Sequence, residues 1–144
     1  MKRLITAVAL SLLTTTAIAE ELPSWLCLTE KSTGFKLEDG SWHYTKFNAE
    51  ARRYLIRPAK ESEKNLPGVM KNATHAVFIF GKADPRQLCR YAKGAPLLCD
   101  QFHGEFKFNA DTLRFMTTHT AGWVDGDDAD RHTPIIEIGR CSEI

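Results

Sequence analysis

The chain has 144 residues, of which 43% are hydrophobic, and it carries 19 Lys and Arg against 18 Asp and Glu. This near-neutral balance excludes the strongly basic surface by which nucleic-acid-binding domains contact phosphates. The hydrophobic residues include eight Phe, three Trp and three Tyr. That content excludes an intrinsically disordered chain and is enough for the core of one domain.

The segment 1–19 has the pattern of a cleaved export signal. Lys2 and Arg3 form a positive head, an apolar run covers 4–13, and the segment closes on Ala-Ile-Ala. The apolar run is well short of the ~20 residues that a membrane span needs. We therefore predict cleavage that leaves one domain, 20–144, with 17 Lys and Arg against 18 Asp and Glu.

Glu20 follows the predicted cleavage point, where a lipid-anchored bacterial protein would carry a cysteine. We therefore expect a bacterial periplasmic or secreted protein with no stable membrane insertion after cleavage. Exported proteins reach an oxidising compartment, in which cysteines pair as disulfides.

The four cysteines of the predicted domain indicate two disulfides. We favour Cys89–Cys99, because Lys-Gly at 93–94 lies midway between them and can turn a hairpin. Cys27–Cys141 would then connect the two ends, although all three connectivities remain open. The alternative is a metal site, but the chain has no C-x-x-C and no paired Cys and His spacing. We predict no metal ligand and no cofactor.

Strand signals dominate the first half of this domain. Aromatic and β-branched runs at 41–47 and 53–57 predict two strands, and the turn signal Glu-Asp-Gly at 38–40 precedes the first. The mostly polar stretch 58–71 predicts a surface loop. The continuous apolar run at 75–80 predicts a buried strand.

The second half continues the β pattern. Aromatic residues alternate with polar ones in 102–108, a turn is indicated at 109–111, and alternation resumes in 113–118, which together predict a hairpin. The run 134–139 predicts a last strand, and the best helical candidate is only 49–53. The fold class is therefore all-β or mainly β, a small antiparallel barrel or sandwich of about eight strands held by disulfides.

An acidic cluster in the second half invites a calcium site, because hard cations prefer several carboxylate oxygens from one loop. Counted from Asp125, the helix-loop-helix calcium pattern fails, because its sixth position is Asp130 instead of Gly and its twelfth is Ile136 instead of Glu. A solvated turn is the favoured interpretation, and ion binding remains open. The four acidic residues are Asp125, Asp127, Asp128 and Asp130.

No catalytic motif is evident. None of the five histidines has a second His or Cys at a ligand or catalytic spacing, and no Ser lies in a G-x-S-x-G elbow. We predict no catalytic residue and favour a protein that is not an enzyme. The alternative is a small cell-wall or polysaccharide hydrolase that uses carboxylates brought together by folding with His103 or His119.

Aromatic side chains are the remaining binding candidates. Trp42 and Tyr44 share one face of a predicted strand, and Trp123 lies in a predicted loop beside the acidic cluster. Aromatic residues concentrate binding energy when they enter a partner's pocket. We therefore predict that Trp123, with Trp42 and Tyr44, contacts a partner.

Two segments carry a resemblance to known proteins. Ser-Thr-Gly-Phe at 32–35, followed by Trp42 and Phe47, and Ile-Glu-Ile-Gly-Arg-Cys at 136–141 resemble small exported bacterial proteins of unassigned activity. The resemblance implies a bacterial periplasmic location and supplies no catalytic residue to carry over. A looser analogy, in size and class alone, is to small disulfide-linked periplasmic β-barrels that inhibit host lysozymes.

Three functional hypotheses follow. The leading one is a non-enzymatic binding or inhibitor-type domain that recognises a protein or another envelope component. The hydrolase is the second, and the third is a carrier that holds a lipid or small ligand inside a barrel. A filled core with an exposed aromatic patch would favour the first.

Overall fold

The computed structural model describes residues 22–64, 72–99, 104–120, 123, 126 and 133–144. The predicted signal 1–19, the four aspartates of the acidic cluster and His103 lie outside these residues. The described strands are β1 (Trp25–Glu38), β2 (Ser41–Lys46), β3 (Arg53–Pro58), β4 (His75–Ile79), β5 (Gln87–Arg90), β6 (Leu98–Cys99), β7 (Phe106–Asn109), β8 (Arg114–His119) and β9 (Ile135–Glu143). A 3-10 turn covers Ala49–Ala51 and a short helix, α1, covers Glu61–Lys64.

Eight of these strands form a nearly closed antiparallel barrel. Their order is β6-β5-β4-β3-β1-β9-β8-β7, and β2 pairs with β1 beside this path. The two ends of the sheet meet at an isolated bridge, where the Leu97 amide donates to the Phe108 carbonyl at 2.7 Å. The predicted fold class, a small disulfide-linked antiparallel barrel, is confirmed.

β1 is the long strand around which the barrel is arranged. Its first half pairs with β3 and its second half with β2, while β9 follows its other edge. A β-bulge shifts the register between Thr29 and Lys31. Side chains alternate on a strand, so the extra residue moves the inward positions from Cys27 and Thr29 to Ser32.

The predicted turns and disulfides are confirmed. Asp39 and Gly40 adopt φ values of 50° and 73°, which suits a two-residue hairpin turn between β1 and β2. Cys89 and Cys99 lie directly opposite each other in the β5–β6 hairpin and are bonded. The second disulfide joins β1 to β9 at the directly opposed pair Cys27 and Cys141.

Several predicted elements differ at their ends. The stretch 58–71, predicted as a surface loop, contains the short helix α1. Arg57 Nη2 of β3 lies 2.5 Å from Glu63 Oε1 of this helix. Residues 65–71 of the stretch are not described. The helical candidate at 49–53 is a single 3-10 turn that ends where β3 begins. β9 extends the last predicted strand to Glu143, because its whole length pairs with β1 or β8.

Aromatic side chains fill one half of the barrel interior. Trp25 packs on Phe108 with ring centroids 5.0 Å apart, and Phe106 stacks on Phe115 at 5.4 Å. His75 is fully buried beside Trp25, and burial lowers the pKa of its ring. This half therefore holds a solid core with both disulfides in it.

In the described part of the chain, no helix combines the length and the apolar character that crossing a membrane requires.

The two disulfides are expected to differ in their contribution to stability, because they close loops of different length. Cys27–Cys141 spans 114 residues and Cys89–Cys99 spans 10. In the chain-entropy model, the free energy of unfolding should fall by about 5 kcal/mol in the Cys27→Ser/Cys141→Ser variant and by about 3 kcal/mol in the Cys89→Ser/Cys99→Ser variant. Urea unfolding of both double variants measures the difference. Equal losses would contradict the loop-length explanation.

Candidate functional site

An aromatic groove lies on the outer wall of the barrel and has a volume of about 570 Å³. Trp42 and Trp123 meet there edge to face, with ring centroids 5.7 Å apart and an interplanar angle of 86°. The structure thus brings together two of the three aromatic residues that the sequence singled out. We define the aromatic groove by its lining residues Phe35, Trp42, Thr120, Trp123 and Pro134.

The hairpin of β1 and β2 positions this groove. Phe35 pairs with Tyr44 and Leu37 with Trp42, so these four side chains share the outer face. Tyr44 is 65% exposed and lies next to the groove without lining it. Trp123 is 61% exposed although it contacts Trp42, and the groove is therefore open to a partner.

β2 leaves one edge unpaired among the described strands, because it pairs with β1 alone. The Phe47 amide donates to the Ser32 carbonyl at 3.1 Å, so the main-chain groups of Phe47 face β1. In an antiparallel ladder this direction alternates, so the main-chain groups of Tyr44 and Lys46 point away from β1. The free edge of β2 therefore lies on the side of Trp42 opposite to Phe35, and Trp42 lies between this edge and the rest of the groove.

A buried carboxylate lies inside the other half of the barrel. Glu137 on β9 is 1% exposed, and it accepts hydrogen bonds from the Tyr54 hydroxyl and, at 3.2 Å, from Ser32 Oγ. Arg52 Nε lies 3.3 Å from Glu137 Oε1 and completes an ion pair. A buried charge needs such partners, and here a cation and two hydroxyl donors supply them.

Glu137 points inward while its two neighbours point outward. Ile136 and Ile138 are 49% and 46% exposed, although an apolar pair flanking a glutamate would ordinarily face the core. Cys141 faces inward to bond Cys27, and residues two and four positions before it must face the same way. The disulfide is thus consistent only with the orientation that buries Glu137.

Burial, together with the hydrogen bond to Glu137, raises the pKa of the Tyr54 hydroxyl above its ordinary value. The guanidinium of Arg86 lies over the Tyr54 ring, 6.0 Å from its centroid. The hydroxyl therefore stays protonated and donates to Glu137 throughout the physiological pH range.

A second cavity, of about 520 Å³, opens above this network at the barrel end where β8 finishes and β9 begins. We call it the mouth pocket. It brings together cationic and apolar side chains from segments that are far apart in sequence. No local sequence motif predicted this combination. Its lining residues are Lys36, Phe47, Arg52, Arg86, His119, Thr133 and Ile135.

The hydrolase hypothesis required a histidine and a carboxylate lining one pocket. His119 lines the mouth pocket, but no Asp or Glu is among the described residues of that lining. Glu137 lies beneath it and is engaged by Tyr54, Ser32 and Arg52. Within the described ranges, no group of three or more His, Cys, Asp or Glu is arranged to hold a metal ion.

Comparisons of this chain with protein-family models, with curated proteins and with solved structures find no match.

Removing the charge of Glu137 should destabilise the barrel to a degree that depends on which hydrogen bonds survive. Because Arg52 is partly exposed and the amide still accepts a hydrogen bond, Glu137→Gln should cost about 1–2 kcal/mol. Glu137→Leu leaves the Tyr54 hydroxyl without an acceptor and should cost about 3 kcal/mol or more. Denaturant unfolding measures both values, and a more stable Leu variant would contradict the expected ranking.

Tyr54 should make the stability fall at high pH. Its folded-state pKa is raised, so as the pH climbs past about 10 the unfolded chain ionises first and the free energy of unfolding decreases. Tyr54→Phe should remove this part of the decrease. Unfolding measured from pH 9 to 12 tests the prediction, with Tyr44→Phe on the exposed strand as the control. An unchanged pH profile in Tyr54→Phe would contradict it.

Proposed function

We propose that this protein is an exported, non-enzymatic binding domain that recognises a partner protein through the aromatic groove and the free edge of β2. The partner contributes an extended segment that pairs with β2 and inserts an apolar or aromatic side chain between Trp42 and Trp123. The observation that carries the proposal is the contact of these two tryptophans on a strand whose outer edge pairs with no other described strand.

The groove offers what an anchoring side chain needs. The described residues of its lining are apolar except for Thr120, and its volume suits a large side chain. Tryptophans that are partly exposed in the free protein become binding hot spots when a partner covers them. Exposed Ile136 on β9, paired with Thr33 of β1, lies on the same outer face and extends the apolar surface.

The strand edge specifies an extended partner. Strand addition to an exposed edge supplies main-chain hydrogen bonds, and alternate side chains of the added strand enter neighbouring pockets. The outward main-chain groups of Tyr44 and Lys46 are the acceptors and donors for such a strand. An envelope polysaccharide would use the tryptophan faces but would have no use for this edge.

The location is also part of the proposal. Two disulfides are consistent with an oxidising, exported environment, and the predicted signal at 1–19 supports periplasmic or secreted delivery. A bacterial envelope protein is therefore the class of partner that we expect.

The other two hypotheses receive less support from the geometry. A carrier needs a hollow apolar interior, whereas the apolar half of this barrel holds Trp25, Phe106 and Phe108 in contact with the rest of the core. A hydrolase needs a general acid and base facing one space, and the described lining of the mouth pocket contributes only His119 toward such a pair.

The experiment places a photo-crosslinking residue at position 46, on the free edge of β2, and exposes the protein to envelope extract. The captured protein is identified, purified and titrated against the unlabelled domain. Trp123→Ala and Trp42→Ala should each weaken binding at least tenfold, because they remove the groove walls. Leu98→Ala is the matched control, since Leu98 is 52% exposed against 61% for Trp123 but lies on β6.

A second pair of variants tests the strand edge. Tyr44→Pro removes an outward amide that β1 does not use, whereas Tyr44→Ala removes only the side chain. The proline variant should lose substantially more affinity than the alanine variant. Equal affinity of all groove and edge variants, capture of a second copy of this chain, or capture of polysaccharide alone would overturn the proposal.

A further inference from the structure

We propose that the mouth pocket is a second binding site, which takes a small organic monoanion with a carboxylate head and an apolar tail. It is treated as separate from the aromatic groove, because the described lining residues of the two cavities are all different. The proposal does not depend on the protein partner.

The charges around the pocket leave one cation for a ligand. Lys36 is paired with Glu38 at 2.9 Å, and Arg52 is paired with the buried Glu137. Within the described part of the chain, no carboxylate lies at ion-pair distance from Arg86. Among the described lining residues, Arg86 therefore contributes one positive charge without a carboxylate partner, which suits a monoanion better than a phosphate dianion.

The geometry of the two arginines favours a carboxylate. Arg52 contacts Glu137 through Nε, and its terminal Nη atoms have no hydrogen-bond partner among the described residues. Arg86 is held over the Tyr54 ring, whose hydroxyl is itself fixed by Glu137. Two guanidinium groups oriented by one buried network offer planar donors, which match a carboxylate.

The remaining walls require an apolar tail. Phe47 and Ile135 line the same cavity, and its volume of about 520 Å³ exceeds what a lone carboxylate fills. A ligand that places its head on the arginines and its tail on these two side chains would use both kinds of wall. Short fatty acids and aromatic acids have this chemistry.

The test is an NMR titration of the full domain with hexanoate and benzoate, with hexan-1-ol and inorganic phosphate as comparison probes. Hexanoate should bind saturably and shift the amide signals of Phe47, Arg86 and Ile135. Hexan-1-ol and phosphate should each bind at least tenfold more weakly, because one lacks the charge and the other lacks the tail.

Variants assign the head group. Arg86→Gln should weaken hexanoate binding at least tenfold, and Arg86→Lys should retain part of the affinity because it keeps the charge without the planar donors. Arg90→Gln, at the exposed last position of β5, should bind as the unmodified protein does. Circular dichroism of each variant verifies that the barrel is folded.

No saturable binding of either acid, equal binding of hexan-1-ol, equal binding of phosphate, or unchanged affinity in a folded Arg86→Gln variant would each overturn the proposal. Trp123→Ala should bind hexanoate normally. Loss of hexanoate binding in that variant would place the ligand in the groove and also overturn it. Failure here leaves the protein-binding proposal intact, because the groove variants report on that site separately.

Discussion

The direct opposition of Cys27 and Cys141 in the β1–β9 pairing is the constraint on which the arrangement of the barrel depends. Because successive side chains alternate, an inward Cys141 makes every second residue of β9 inward, including Glu137. The isoleucines on either side of the glutamate are displaced to the outer wall. One covalent pair thus decides both what the interior contains and which apolar side chains remain outside.

The interior is consequently divided into two chemical zones. One zone is a packed aromatic core that contains the disulfides, and the other contains a carboxylate whose partners are Tyr54, Ser32 and Arg52. Satisfying this carboxylate fixes three side chains that a purely apolar core would not have required. The polar zone gives the mouth pocket its floor, while Ile136, paired with Thr33, lies on the same outer face as Phe35 of the groove.

Local patterns predicted the turns, the hairpins, the disulfide pairing and the shared face of Trp42 and Tyr44, because each depends on residues close in sequence or on period-2 alternation. The sequence did not predict β1, because the bulge between Thr29 and Lys31 breaks its alternation of inward and outward side chains and the residues around the bulge are polar. The contact of Trp123 with Trp42 and the lining of the mouth pocket join segments distant along the chain. No local signal in a single sequence specifies such contacts.

The two ends of the described chain meet far from both cavities. The Ile144 amide donates to the Ser24 carbonyl at 3.0 Å, beside the pairing of Trp25 with Glu143, whereas the mouth pocket lies where β8 finishes and β9 begins. A linker attached at Ile144 would therefore fix the barrel by its base and direct its open end away from the support. Immobilised in this way on a sensor chip, the domain would present its cavities in one uniform orientation, with neither obstructed by the attachment.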